Sequence, residues 1–336
     1  MKNKDSNYDI NDIFPKYIRD DFLFPLDSYR LFLEGLSIKP SAFYQKWSDV
    51  NVISIIDKYW KPNQKSDWKW SLTFPFFSLL ENYINTINQP IVIGFSGLPG
   101  SGKSTLGFWI DSVARELSLD IKVISLDDFY LPAQEMDFAM KGNPWNVPRG
   151  FPGSHSLDLL HQSLDVFLKT GILRSPTFDK SLRDGKGDRS GWCELKSKIL
   201  ILEGWFVGCE PVSDLNNIDS LFEDKFNLSL SQDEKDYRSL IQESLIKYSK
   251  IWKKFDKIWH LKSSHFNNTI LWKTQQEEEM IKIRGSGLKG NNLTDFIRMI
   301  QSSIPQQSLS FINADTTVQI NQHRRIDKLL TTNYHF

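Results

Sequence analysis

The run Ile91-Val92-Ile93-Gly94-Phe95 leads into Gly97-Leu98-Pro99-Gly100-Ser101-Gly102-Lys103-Ser104-Thr105, a glycine-rich loop with the spacing G-x-x-x-x-G-K-S. A triphosphate is densely anionic, so a loop that holds one must bring several backbone N–H groups to its oxygens at once. Side chains at Gly97, Gly100 and Gly102 would obstruct that approach. Lys103 adds a cation and Ser104 an oxygen suited to Mg²⁺. The flanks agree with the loop. Residues 90 to 95 form a short β-branched run behind a proline, as a buried parallel strand requires. Beyond the loop, Leu106, Ile110, Val113 and Leu117 recur at i, i+4, i+7 and i+11 and mark one face of a helix. The loop therefore joins a strand to a helix N-terminus, whose dipole faces the phosphates. Residues 97 to 105 form the expected nucleoside-triphosphate-binding segment.

From about residue 90 the pattern of strand, loop and helix repeats, with candidate strands at 91 to 95, 121 to 126, 199 to 203, 257 to 261 and 308 to 312. Helices between them imply a five-stranded parallel sheet covered on both faces, a three-layer α/β architecture. Residues 1 to 85 carry patchy helical periodicity and many aromatics, among them Trp47, Trp60, Trp68 and Trp70, and read as a helical extension packed on the core. The remainder, 86 to 336, reads as one large α/β domain built around the phosphate loop. Within it, 127 to 198 is a long stretch rich in Gly, Pro, Arg, Asp and Lys with little apolar periodicity, the usual signature of a functional insertion. Residues 212 to 233 look like a polar excursion, and Ile241, Leu245, Tyr248 and Trp252 after it form a core-facing helical stripe.

Composition narrows the partners. With 41 basic and 41 acidic residues among 336, no global field favours nucleic acid or an anionic membrane, so a small molecule fits better. Two cysteines, Cys193 and Cys209, are too few for a disulfide scaffold or a four-ligand zinc site. The N-terminus is polar, and no segment approaches the ~20 apolar residues of a membrane span. A cytoplasmic protein is the expectation; oligomeric state leaves no mark.

Two strand ends carry carboxylates. The run 121 to 126 ends in Asp127-Asp128-Phe129-Tyr130, at the edge of an open α/β sheet where ligands bind. One of these two groups could take a proton from a hydroxyl attacking the γ-phosphate; the competing role is an N-cap or turn pair. The run 198 to 202 ends in Glu203-Gly204-Trp205, where a carboxylate beside the loop can hold Mg²⁺ together with Ser104. The insertion adds Arg149, Lys180 and Arg189, which could bind a carboxylate or phosphate on the acceptor, and His155, which could orient a hydroxyl; the competing roles are solvated loop charges or hydrogen-bonded turn residues.

Taken together, Gly97 to Ser104, Ser125 to Tyr130, Arg149-Gly-x-x-Gly-Ser-His155, Phe178-Asp-Lys-Ser181, Gly187-Asp-Arg189 and Leu202-Glu-Gly-Trp205 resemble the D-glycerate 3-kinases of plant, fungal and cyanobacterial type. These belong with the wider P-loop kinases that include uridine kinase, pantothenate kinase and phosphoribulokinase. The resemblance runs from about residue 90 to 285, and at Lys273 the family pattern usually carries arginine. It implies a P-loop NTPase fold and transfer of the ATP γ-phosphate to D-glycerate. It further implies that Lys103 stabilises the transferring group, that Ser104 and Glu203 serve Mg²⁺, and that Asp127 is the base, with Asp128 in reserve. Kinases of a nucleoside, pantothenate or a sugar phosphate remain alternatives, as does a nucleotide-dependent switch. Lys273, Lys282 and Arg284 are cationic candidates for a lid.

Overall fold

A computed structural model describes residues 10–60, 67–212, 228–285 and 287–332. Most of the polar excursion expected over 212 to 233 lies outside the described residues. The chain begins with helices α1 (Ile10–Ile13), α2 (Lys16–Arg19), α3 (Leu26–Gly35), α4 (Pro40–Trp47), α5 (Val50–Tyr59) and, after a π-helical turn over Lys69–Thr73, α6 (Phe74–Thr86). There follow β1 (Ile91–Gly97), α7 (Lys103–Glu116), β2 (Ile121–Ser125) and a 3₁₀ turn over Leu126–Phe129. The middle of the chain holds α8 (Ala133–Ala139), α9 (Leu157–Thr170), β3 (Ile172–Asp179), β4 (Asp188–Lys196) and β5 (Ile199–Gly204). It ends with α10 (Gln232–Trp252), β6 (Lys257–Ser263), α11 (Asn268–Arg284), α12 (Gly290–Ser302), α13 (Gln306–Ser310), β7 (Thr316–Ile320) and β8 (Ile326–Thr331).

The main sheet has the order β2-β5-β1-β6-β7-β8, with β8 antiparallel to β7 and every other pairing parallel. It thus has six strands, not the expected five. The fifth parallel strand is also not where the sequence put it. Residues 308 to 311, Ser-Leu-Ser-Phe, alternate polar and apolar and so imitate a strand, but Pro305, with its fixed φ, starts the short helix α13 over Gln306–Ser310 instead. The β-branched run Thr316-Thr317-Val318-Gln319-Ile320 forms the strand, with Val318 and Ile320 buried. Its partner β8 follows through a turn at 321 to 325 and closes that edge of the sheet.

Every residue of β1 and β5 is buried, as central strands covered on both faces must be. Their register pairs Ser96 with Gly204, while β2 pairs Ser125 with Glu203. The carboxyl ends of the three strands therefore lie level, and the loops after them meet at one edge. On one face, α1–α6 pack into the same hydrophobic cluster as the sheet: Phe76 meets Phe95 and Trp259, and Trp47 stacks on Phe74 at 4.6 Å. Such aromatic pairs add about 0.5–1.5 kcal/mol each beyond the area they bury. On the other face the expected stripe of Ile241, Leu245, Tyr248 and Trp252 is buried in a second cluster, with helix α10 opened by a reciprocal Ser231–Glu234 capping box.

The stretch from 127 to 198 is more ordered than its composition suggests. Helix α9 buries Leu160, Leu164 and Phe167 along one side, and β3 and β4 form an antiparallel hairpin separate from the main sheet. Both cysteines are unpaired thiols.

Candidate active site

The loop after β1 owes its course to its glycines. Gly100 and Gly102 take positive φ values of 75° and 108°. A Cβ on Gly100 would fall 2.6 Å from the carbonyl carbon of Trp272 and 2.8 Å from the Lys273 nitrogen, so the loop lies directly against the backbone of α11. Thr269 donates to the Pro99 carbonyl at 3.1 Å, fastening the loop to the same helix. Helix α7 then starts with no side-chain cap, which leaves the N–H groups of its first turn to a ligand. A cradle that side chains would fill, ending in an uncapped helix, fits a triphosphate.

Lys103 is buried at 7 % exposure and donates to the Leu98 carbonyl at 3.2 Å, folding back over the loop. Burial lowers its pKa, opposed by the charges of Glu203 and Asp127. Ser104 Oγ donates to Glu203 Oε1 at 2.9 Å, although the two stand 99 positions apart in sequence. An oxygen pair of this kind, completed by phosphate oxygens and water, suits Mg²⁺, which seldom takes an all-protein cage. Among the described residues no cluster of three or more His, Cys, Asp or Glu offers a self-sufficient metal site.

Asp127 and Asp128 share the 3₁₀ turn after β2 but face different tasks. Asp128 accepts from the Ser125 N–H at 3.2 Å and completes a capping box with the Ser125 side chain. Burial raises its pKa to about 6. Asp127 instead lines the cleft and pairs with Lys180 Nζ at 2.6 Å. Burial alone would raise its carboxyl, but the Lys180 ammonium outweighs burial and holds it well below the usual carboxylate range. Lys180 comes from the turn of the β3–β4 hairpin, so the hairpin delivers a cation to the sheet edge.

The cleft, about 360 Å³, is lined by Gly100, Gly102, Lys103, Ser104, Thr105, Asp127, Lys180 and Glu203. These residues, expected from sequence, are brought together. Arg149, His155 and Arg189 are not in its lining. Arg149 lies over the rings of Phe178 and Tyr130, 5.5 and 6.0 Å from their centroids, and donates to the carbonyls of Gly185 (2.8 Å) and Lys186. Arg189 donates to the Tyr130 carbonyl at 3.1 Å and to Ser156 Oγ at 2.8 Å. Both arginines brace the hairpin against the sheet edge. His155 stacks on Tyr130 at 4.5 Å and its Nδ1 meets the Tyr248 hydroxyl at 2.6 Å. Burial lowers its pKa to about 4, so the ring is neutral at pH 7.

Several further residues line the cleft without having been assigned a role from sequence. Tyr130 has its body against His155 and Phe178, and its hydroxyl hydrogen-bonds Asp127. Lys273, a lid candidate at the position where the resembled family usually carries arginine, is buried and pairs with Glu277 at 2.5 Å, one helical turn on. Lys282 is exposed on the same helix, and the Arg284 side chain lies outside the described residues. Arg324, in the β7–β8 turn, donates to the Gly100 carbonyl and to Gln275 Oε1, each at 2.9 Å. Trp60 and Trp68 reach the cleft from the N-terminal helices.

A glycine-rich loop opening a helix, with carboxylates at the ends of the flanking strands of a parallel sheet, is the arrangement of a P-loop nucleotide site, and the relatives that share it are kinases. No protein-family model matches the chain. It is similar to a Schizosaccharomyces pombe protein called "Uncharacterized kinase mug58", at 29 % identity over 261 residues covering 73 % of this chain and 89 % of that one. It is also similar to the chloroplastic D-glycerate 3-kinase of Arabidopsis thaliana, at 29 % identity over 223 residues covering 62 % of this chain; the matched region spans 45 % of the plant protein. Among solved structures, D-glycerate 3-kinase from Cryptococcus neoformans shares the fold, with a TM-score of 0.65 at 22 % identity, covering 84 % of this chain and all of that one.

Proposed function

We propose that this chain is a Mg²⁺- and ATP-dependent kinase of a small carboxylate-bearing alcohol, with D-glycerate as acceptor and 3-phosphoglycerate and ADP as products. The observation that carries the reading is the Asp127–Lys180 pair in the same cleft as the phosphate loop. An acceptor that bears both a hydroxyl and a carboxylate needs one base and one cation side by side, and this pair supplies both. The similarity in sequence to the D-glycerate 3-kinase of Arabidopsis thaliana points the same way.

In this reading the loop N–H groups and Lys103 hold the β- and γ-phosphates and offset the charge that builds on the transferring group. Bound through Ser104 and Glu203, Mg²⁺ would neutralise charge on the phosphate oxygens. Lys180 occupies Asp127 while the acceptor is absent. When an acceptor carboxylate takes the ammonium, Asp127 is released to accept the hydroxyl proton, and its basicity rises as its counter-charge is shared. Tyr130, hydrogen-bonded to Asp127, keeps that carboxylate oriented. With both thiols unpaired, a reducing, cytoplasmic setting is the one proposed.

The test is an acceptor panel of D-glycerate, L-glycerate, uridine, pantothenate and water, each with ATP and Mg²⁺, read as phosphate transferred per ADP formed. Transfer to D-glycerate is expected. Transfer to uridine or pantothenate alone would replace the acceptor, and release to water alone would turn the protein into a nucleotide-driven switch.

A further inference from the structure

Beyond the phosphate loop, the cleft lining includes two groups of side chains whose chemistry differs. Asp127, Lys180 and Tyr130 form a polar group joined by their own contacts. Trp60, Trp68 and Trp109 form an aromatic one. Trp60 meets Trp109 edge to face at 5.3 Å. Trp68 donates its indole N–H to the Arg324 carbonyl at 2.6 Å and approaches the loop itself: a Cβ built on Gly102 would lie 3.0 Å from its ring. The guanidinium of Arg324 is engaged by Gly100 and Gln275, and His323 beside it is exposed at the rim of the cleft.

A nucleoside triphosphate likewise has a charged end and a flat aromatic end. With its phosphates fixed by the loop, the polar group matches the acceptor side, and Trp60 and Trp68, on the side where Trp68 stands against Gly102, offer the base an aromatic surface. We propose that Trp60 and Trp68, with His323 from the β7–β8 turn, form the base-binding wall of the nucleotide site. The helical region before β1 thereby becomes part of that site as well as a cover for the sheet. The proposal rests on the reading of residues 97 to 105 as a triphosphate loop, and it accounts for two tryptophans of the N-terminal region that no phosphate motif includes. Trp68 sits within van der Waals reach of the loop, so a base stacked there stays close to its own phosphates.

The test compares ligands with and without a base. In the full chain, Trp60→Ala and Trp68→Leu are titrated calorimetrically with Mg²⁺-ATP and with Mg²⁺-tripolyphosphate. Each variant should bind ATP roughly 5- to 100-fold more weakly, the range expected for losing an aromatic stacking surface, while tripolyphosphate affinity stays within about twofold. Unchanged tripolyphosphate binding also certifies a folded loop. ATP affinity unchanged in both variants would overturn the proposal, as would an equal loss for both ligands, which would make the tryptophans mere supports of the loop. A wild-type chain that binds neither ligand would overturn the triphosphate site itself, and the base wall with it.

Discussion

Replacing Lys180 by methionine keeps a long apolar stem and deletes the ammonium that stands 2.6 Å from the Asp127 carboxylate. Two forces act on Asp127 in opposite directions: burial raises its pKa and Lys180 lowers it, with Lys180 prevailing. Without the ammonium, burial meets only weaker opposition, including the hydrogen bond from Tyr130. An opposite charge in contact shifts a carboxyl by roughly 1–3 units, so the acid limb of the kcat/KM profile should move upward by about two units. The acceptor loses a charge-assisted contact worth about 1.5–3 kcal/mol, which corresponds to a rise in acceptor KM of roughly 10- to 150-fold. ATP is held elsewhere in the cleft, and its KM should change by less than about threefold. The assay is the initial rate of ADP release across pH 3–9 with D-glycerate varied at saturating ATP and the reverse. A stationary acid limb together with an acceptor KM within about threefold of wild type would refute the paired role of Asp127 and Lys180.

Asp127→Asn should leave ATP binding near wild type and lower kcat by ~10²-fold or more, measured by single-turnover kinetics; near-normal turnover would remove Asp127 as base. Gly100→Ala places a methyl group against the Trp272 and Lys273 backbone at positive φ. The strain and overpacking should cost about 2–4 kcal/mol, visible as a lowered Tm and weakened ATP binding, and an unchanged melt would contradict the described loop course. His155 has its pKa lowered by burial from 6.5 to about 4, so it stays neutral when folded while the unfolded chain takes up a proton. Its contribution is complete above pH 6.5 and lost as pH falls towards 4, worth about 3 kcal/mol in all. In His155→Gln, the fall in urea-unfolding stability between those pH values should therefore be smaller by about that amount, and parallel curves for the two proteins would count against a buried neutral ring.

What the sequence made legible was local chemistry tied to local geometry. The loop from Gly97 to Thr105 was readable because glycines, lysine and serine at fixed spacing follow a strand and open a helix, all within a few residues. Asp127 and Glu203 were readable because each ends an apolar run, and a parallel sheet brings such ends level. The strand expected at 308 to 312 failed because alternation over four residues, Ser308 to Phe311, cannot distinguish a strand from a short helix begun by Pro305. Arg149 and Arg189 carried charge suited to an acceptor, yet backbone carbonyls and the Phe178 and Tyr130 rings claim those charges first. Nothing near Trp60, Trp68 or Arg324 in sequence hints at the loop they reach. Trp68 and Arg324 meet across 256 positions of chain, and only the assembled sheet puts them beside Gly100 and Gly102.

The central claim is that the phosphate loop and the Asp127–Lys180 pair pass a γ-phosphate to a hydroxyl of a small carboxylate. The most direct measurement is ³¹P NMR of the reaction of the full chain with ATP, Mg²⁺ and D-glycerate. The account predicts stoichiometric ADP and a phosphomonoester on the terminal carbon, 3-phosphoglycerate, formed by the wild-type chain and not at a comparable rate by Asp127→Asn. Inorganic phosphate as the sole product, or no turnover of D-glycerate beside rapid phosphorylation of an uncharged acceptor, would contradict it.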